Sequence, residues 1–150
     1  MKVYIAAPYS RKEEMNVYAA KLRELGIEVT SRWLNEPHKS SIQMPDLTHE
    51  QHLEYAMQDV NDIMDSDAMV FFTDPTKTIL RAGRHVEFGM VLALNHMLTE
   101  DPLPIFVVGL EFENIFHHMP NVSHFQEWDL ALDAVCRFAI KFDHDMAAGL

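Results

Sequence analysis

At 150 residues, 48% hydrophobic and 10% aromatic, the chain is long enough for one domain with a sizeable core and too short for two. Twelve Lys and Arg against 23 Asp and Glu give a formal net charge of -11, which excludes electrostatic attraction to a nucleic-acid polymer and requires a local cationic pocket for any small anionic ligand. The single cysteine, Cys136, permits no intramolecular disulfide, the opening "MKVYIAAPYS" is not a signal peptide, and no window approaches the roughly 18 apolar residues of a membrane span, so a soluble cytoplasmic protein without membrane partners is expected.

"KVYIAA" is a β-branched and aromatic run stopped by Pro8, and predicts a buried strand over residues 2–7. Ser10 and Glu13 have the spacing of a capping box, and Met15, Tyr18, Ala19, Leu22 and Leu25 recur at helical spacing up to Gly26, predicting a helix over 11–25 capped by Ser10. "IEVTS" is the second predicted strand. The stretch from Arg32 to Leu47 then reads as a loop of unusual length. Thr48 and Gln51 repeat the capping box ahead of a second helix, with Leu53, Ala56, Met57, Val60, Ile63 and Met64 as its expected buried stripe. "AMVFFT" is the third strand, and "DPTKTILRAG" leads to a helix over 84–98 with an expected stripe of Val86, Met90, Ala93, Leu94 and Met97. "LPIFVVG" is a fourth strand, "VSHF" a short extended piece, and "EWDLALDAVCRFAIKF" a final amphipathic helix. Strands alternating with helices imply one doubly wound α/β domain over 1–150, a parallel sheet covered on both faces. Ligands of such folds sit outside the carboxyl ends of the strands, where residues 7–11, 31–35, 74–84 and 109–118 fall.

Glu87 stands in the first turn of a predicted helix, where a carboxylate is favourable simply because it meets the positive end of the macrodipole. Its place behind Gly83 at the ligand edge of the sheet also suits a functional acid. Asp59 borders the packed face of the second helix, whereas Asp62 and Asp65 are expected to turn outward. Asp59 is either a solvated acid or the partner that a two-carboxylate glycosidic reaction needs. Arg11, Arg81 and Arg84, with Ser10, can form a phosphate cradle or can pair with the many acids. Trp33 is either core or a platform for a planar base. "HH" at 117 and 118 with His124 nearby does not make a metal site, because adjacent side chains rarely point at one ion, and HExxH and CxxC are missing. GxGxxG, GxxxxGK[ST] and GxSxG are missing too. No metal or cofactor is expected.

"KVYIAAPYS", "QDVNDIMDSDAMVFF", "GRHVEFGMVLAL" and "ENIFHHMPNVSHFQEW", in this order over nearly the whole chain, resemble the nucleoside 2-deoxyribosyltransferase family and its relatives, the nucleotide N-hydrolases. The resemblance implies a flavodoxin-like domain in which Glu87 is the nucleophile that attacks C1′ and forms a covalent glycosyl enzyme. It implies that Asp59 serves base departure and sugar recognition, and that Tyr4 orients the nucleophile. Transfer to a second base or attack by water completes the reaction. Hydrolase relatives carry a Gly-Ser pair after strand one where this chain has Ala7 and Pro8, and a small-residue phosphate loop where it has "TILRAG". The expected substrate-binding set is Ala7, Pro8, Ser10, Arg11, Trp33, Arg81, Gly83, Arg84 and Asn114. A non-catalytic nucleotide sensor and a flavodoxin-like redox or signalling module are the alternatives. Phe112, Ile115, Phe116 and Met119 in one loop are more apolar than solvent requires, so a homo-oligomer is expected, with this loop near a neighbour's pocket.

Overall fold

The computed structural model describes residues 1–37, 47–75, 82–97, 102–110 and 112–149. Five parallel strands, β1 (Lys2–Ala6), β2 (Glu28–Val29), β3 (Ala68–Phe72), β4 (Ile105–Val108) and β5 (Val122–Phe125), form one sheet in the order β2-β1-β3-β4-β5. Helices α1 (Lys12–Glu24), α2 (His49–Met64), α3 (Gly83–Met97) and α4 (Trp128–Ala148) alternate with them. This is the doubly wound, flavodoxin-like α/β architecture expected from the alternation.

β3 lies at the centre of the sheet and is buried at every position, which its unbroken apolar run "AMVFF" allows. Successive side chains point to opposite faces, so Phe71 and Phe72 divide the two layers. The Phe72 ring lies 5.5 Å from Tyr18 of α1 and 5.8 Å from Trp128 of α4, and Tyr18 and Trp128 stack at 4.5 Å. The Phe71 ring meets Phe88 of α3 at 5.2 Å and His117, in a 3-10 turn over Ile115–His118, at 5.3 Å. One face therefore carries α1 and α4, and the other α3. Gly109, just past β4, has φ +145° and passes so close to Thr73 that a Cβ there would lie 1.7 Å from Thr73 Oγ1. Only glycine fits this crossing between the ends of β3 and β4.

The carboxyl end of β1 is held by side chains instead of a long ladder, because the edge strand β2 pairs only Glu28 and Val29, shorter than the predicted five residues. The Ile5 N–H donates to Ser31 Oγ at 2.6 Å, and Ile5 O accepts from Ser31 Oγ at 3.2 Å and from Trp33 Nε1 at 2.9 Å. Both Ser31 and Trp33 are buried. These bonds fix the strand end from which Tyr4 projects.

Five expectations need correction. Ser10 does not cap α1: the chain passes through a 3-10 turn over Tyr9–Arg11, Arg11 takes the N-cap position without a side-chain bond, and Ser10 is exposed. Of the expected stripe of α2 only Ile63 is buried, while Leu53, Met57 and Met64 are each more than half exposed. The inner face of α2 is rotated toward Asp59, Asp62 and Ile63, and Asp62, expected to turn outward, is buried. In α3 the buried residues are Arg84, Phe88 and Val91, with Val86 and Met97 exposed, so a periodicity read from apolar residues alone selects the wrong face. α4 runs on past Phe142 to Ala148 and ends at Gly149, φ 71°. Among the described residues no helix is long and apolar enough to cross a membrane.

Thr48 does cap α2: its hydroxyl accepts the Gln51 N–H at 3.2 Å and its own N–H donates to Gln51 Oε1 at 2.9 Å. Thr48→Ala is expected to cost about 1 kcal/mol in urea denaturation, whereas Ser10→Ala, which removes no cap bond, stays within about 0.5 kcal/mol.

Candidate active site

Three groups from three elements converge outside the end of β1. Tyr4 is fully buried on the face of β1 that looks toward α3. Glu87 comes from the first turns of α3 and Asp59 from the inner face of α2, both half-buried. The Tyr4 hydroxyl acts on both acids, drawing each toward ionisation, yet neither it nor Asp59 Oδ1 completes a well-formed hydrogen bond among the described residues. Buried polar groups without a partner are rare in folded proteins and are concentrated at functional sites.

The electrostatics follow from confinement. Burial, then repulsion from Asp59, pushes the Glu87 carboxyl up to about 8, against the opposing pull of Tyr4 and Arg84. Burial, then the charges of Glu36 and Asp62, raises Asp59 to about 7, with Tyr4 and Arg32 acting the other way. Burial raises the Tyr4 hydroxyl well above its ordinary value, reinforced by Glu87 and Asp59, so it remains a donor at neutral pH. Two such carboxyls titrate as a pair, and the proton they share favours Glu87 over Asp59.

Most of the remaining candidates are already engaged. Arg11 donates through Nε and Nη2 to Glu14, each at 2.7 Å, and through Nη1 to Thr73 O at 2.9 Å. Its guanidinium also lies 5.2 Å from the Phe72 ring centre. Arg84 is buried, with Nη2 3.1 Å from Glu113 Oε1 and its guanidinium 6.0 Å from the Phe71 ring centre. The indole N–H of Trp33 is committed to Ile5 O, and its ring lies 5.9 Å from Tyr9. Pro8 is buried and Ala7 half-buried at the exit of β1. Gly83 opens α3 in the open, and a Cβ there would meet no described atom within 4 Å. Asn114 accepts the Phe116 N–H at 2.9 Å and places Nδ2 3.4 Å from His85 Nδ1. Arg81 and the loop 76–81 lie outside the described residues, as do 38–46 of the long second loop.

Sequence reasoning missed Glu113, Glu36 and Asp62. Glu113 accepts from the Asp74 N–H at 2.5 Å and lies 3.5 Å from His85 Nε2. Tyr9 donates to Glu36 at 3.2 Å, and Lys12 Nζ reaches the Glu36 carbonyl. Asp62 accepts from Arg32 N at 2.8 Å and Arg32 Nε at 2.7 Å. No spacing in the sequence links these partners, which lie 24 to 39 residues apart. A cavity of about 540 Å³ is lined by His85, Phe88, Gly89, Leu92, Glu113, Asn114 and Phe116. At 100° per residue this flank of α3 is roughly 150° around the helix from Glu87, so the cavity is distinct from the carboxylate cluster. His117 is buried against Phe71 and Phe88, and burial lowers it to about 4. Among the described residues no group of three or more His, Cys, Asp or Glu converges for a metal.

A carboxyl raised in the folded state holds its proton after its unfolded counterpart has lost it. Stability therefore falls as pH rises from the ordinary value of 4.5 to the folded value of about 8. Glu87→Gln, which cannot ionise, is expected to raise Tm at pH 8.5 relative to the parent chain and to change it little at pH 4. An equal shift at both pH values in scanning calorimetry would contradict the raised value.

No protein-family model matches the chain, and no curated protein matches it by sequence. Solved structures do. A 2-deoxyribosyltransferase from the psychrotolerant bacterium Bacillus psychrosaccharolyticus superposes with a TM-score of 0.60 at 18% identity, over 86% of this chain and 88% of that one. A CMP N-glycosidase from Clostridium botulinum superposes with a TM-score of 0.55 at 17% identity, over 93% of this chain and 99% of that one. The fold of this chain is thus the one found in the nucleoside 2-deoxyribosyltransferase family and its N-glycosidase relatives.

Proposed function

We propose that the chain cleaves the N-glycosidic bond of (deoxy)nucleosides or their 5′-monophosphates. The observation that carries this is the buried meeting of Glu87, Asp59 and Tyr4, drawn from α3, α2 and β1 at the ligand edge of the sheet. The names of the two fold neighbours, a deoxyribosyltransferase and a CMP N-glycosidase, support the same chemistry.

In the first step Glu87, as the anion, attacks C1′ while the C1′–N bond breaks, and the departing base takes a proton from Asp59. The bond electrons leave with the base, and an ester joins Glu87 to the sugar. In the second step water or another base attacks C1′ and returns Glu87 to the anion, with Asp59 now accepting the proton. In the free chain the shared proton favours Glu87, raised to about 8, over Asp59 at about 7. The step therefore starts from the minority form in which Glu87 is the anion, a form that Tyr4 and Arg84 stabilise, and Asp59 keeps the proton. Arg11 and Arg84 direct donors to Glu14, Thr73 and Glu113, and Asp59 stands among Glu36 and Asp62, which weighs toward an uncharged nucleoside over its monophosphate.

We propose in addition that the chain works as a homo-oligomer. Leu53, Met57 and Met64 form one exposed stripe on α2, and Val86 and Met97 are exposed on α3, which packs beside it. Ile115, Phe116 and Met119 add a second apolar surface.

Incubation with a panel of nucleosides and monophosphates, with and without an acceptor base, should release free base detectable by chromatography. Glu87→Gln should reduce the rate by at least about a thousandfold. Base release by Glu87→Gln at the parent rate would remove the nucleophile assignment, and nucleotide binding without any product would favour the sensor. Sedimentation should give a dimer or larger species, and Leu53→Lys with Met57→Lys should shift it toward monomer. A monomeric parent chain would end the oligomer proposal.

A further inference from the structure

Glu113 holds together three parts of the fold that meet at the first turn of α3, the helix that carries Glu87. Its Oε1 accepts the Asp74 N–H, just past β3, at 2.5 Å and lies 3.1 Å from Arg84 Nη2 in the first turn of α3. Its Oε2 lies 3.5 Å from His85 Nε2, the next residue of that turn. Glu113 itself belongs to the connection between β4 and β5, and the neighbouring Asn114 makes a further contact with His85. Arg84 and Glu87 are three residues apart on α3, one turn, so they share a face of the helix. The Arg84 side chain is 7% exposed and that of Glu113 15%, so water screens the pair weakly.

We propose that Glu113 is a positioning residue for the Glu87 nucleophile: by binding Arg84 and the chain just after β3, it fixes how much of Arg84's positive charge reaches the Glu87 carboxylate. This rests on the reading of Glu87 as nucleophile given above. The groups facing Glu87 are Tyr4 from β1, Asp59 from α2 and Arg84 from its own helix. Those facing Glu113 are the Asp74 N–H, Arg84, His85 and His117. Without the Glu113 carboxylate the guanidinium is released to approach Glu87, one turn along the same helix, which favours the anion. Removing Arg84 does the opposite. An acid in the β4–β5 connection thereby sets the pH at which the nucleophile is available.

The direct test is carbon-detected NMR titration of Glu87 in the parent chain, Glu113→Gln, Glu113→Asp, Arg84→Gln and the Glu113→Gln/Arg84→Gln pair, with circular dichroism to confirm folding. The Glu87 midpoint should fall by about one pH unit in Glu113→Gln and rise by about one unit in Arg84→Gln. Glu113→Asp should return most of the parent value, and Glu113→Gln should have little effect once Arg84 is gone. The acid limb of kcat/KM for base release should move with the NMR midpoint. A midpoint unmoved in folded Glu113→Gln, or moved upward, overturns the proposal, and so does a full Glu113 effect in the absence of Arg84. If Glu113→Gln does not fold, the Arg84→Gln and Glu113→Asp midpoints decide by the same criteria. Loss of base release in every protein, including the parent, would refute the catalytic reading, while the titration would still judge the link between Glu113 and Glu87.

Discussion

Two carboxyl groups brought together away from water are the constraint around which the site is organised. Glu87 and Asp59 raise each other's free energy when both are ionised, and burial raises it further. A sheet edge tolerates such a pair only where rigid elements keep it from separating. Here the two acids come from α2 and α3, which pack against one another with α3 over β1 and β3, and Tyr4 is locked in a strand with no exposed residue at its end. The destabilisation is concentrated at one place, which is where proteins keep the groups they use for chemistry.

The rest of the site moderates that pair. Tyr4 supplies a hydroxyl that stays protonated, while Arg84 supplies a positive charge that Glu113 partly neutralises. On the other side Arg32 is drawn to Asp62, the acid one turn beyond Asp59. Among the described residues Arg84 and Arg32, the cations that act on the two carboxylates, are thus each paired with another acid, in keeping with an overall charge of -11. Sharing keeps Glu87 and Asp59 from becoming ordinary salt-bridged carboxylates, which would hold their charge firmly and manage protons poorly.

Strand β1 transmits this order to the core. Its end is secured by Ser31 and Trp33 through the two polar groups of Ile5, where a longer β2 would otherwise have supplied ladder bonds. Trp33 is thus part of the framework of the strand end, buried with its indole N–H on Ile5 O and its ring 5.9 Å from Tyr9. The Phe71 ring joins the same layer to α3 and to the β4–β5 connection, touching Phe88, His85 and His117. The cavity on the far flank of α3 shares Phe88, His85 and Glu113 with this packing, so its shape and the placement of Glu87 depend on the same contacts.

The order of strands and helices was legible in the sequence because local patterns decide it: β3 is one apolar run, Thr48 and Gln51 form the cap that their spacing predicts, and the central strands match their predicted places within a residue or two. Glu87, Asp59 and Tyr4 were also legible as candidates, the first two from their positions on helices and the third through the family resemblance. The inward faces of α2 and α3 were not. Apolar periodicity says that a helix has a sticky stripe but not which neighbour covers it, and here Leu53, Met57, Val86 and Met97 remain exposed while Arg84 and Asp62 are buried. The roles of Ser10, Arg11 and Glu113 likewise depended on distances between residues far apart in the chain. The sequence by itself determined the alternation, the strand core and the acids available. Only the tertiary structure decided which charges meet, because burial and pairing arise between elements that no local spacing connects.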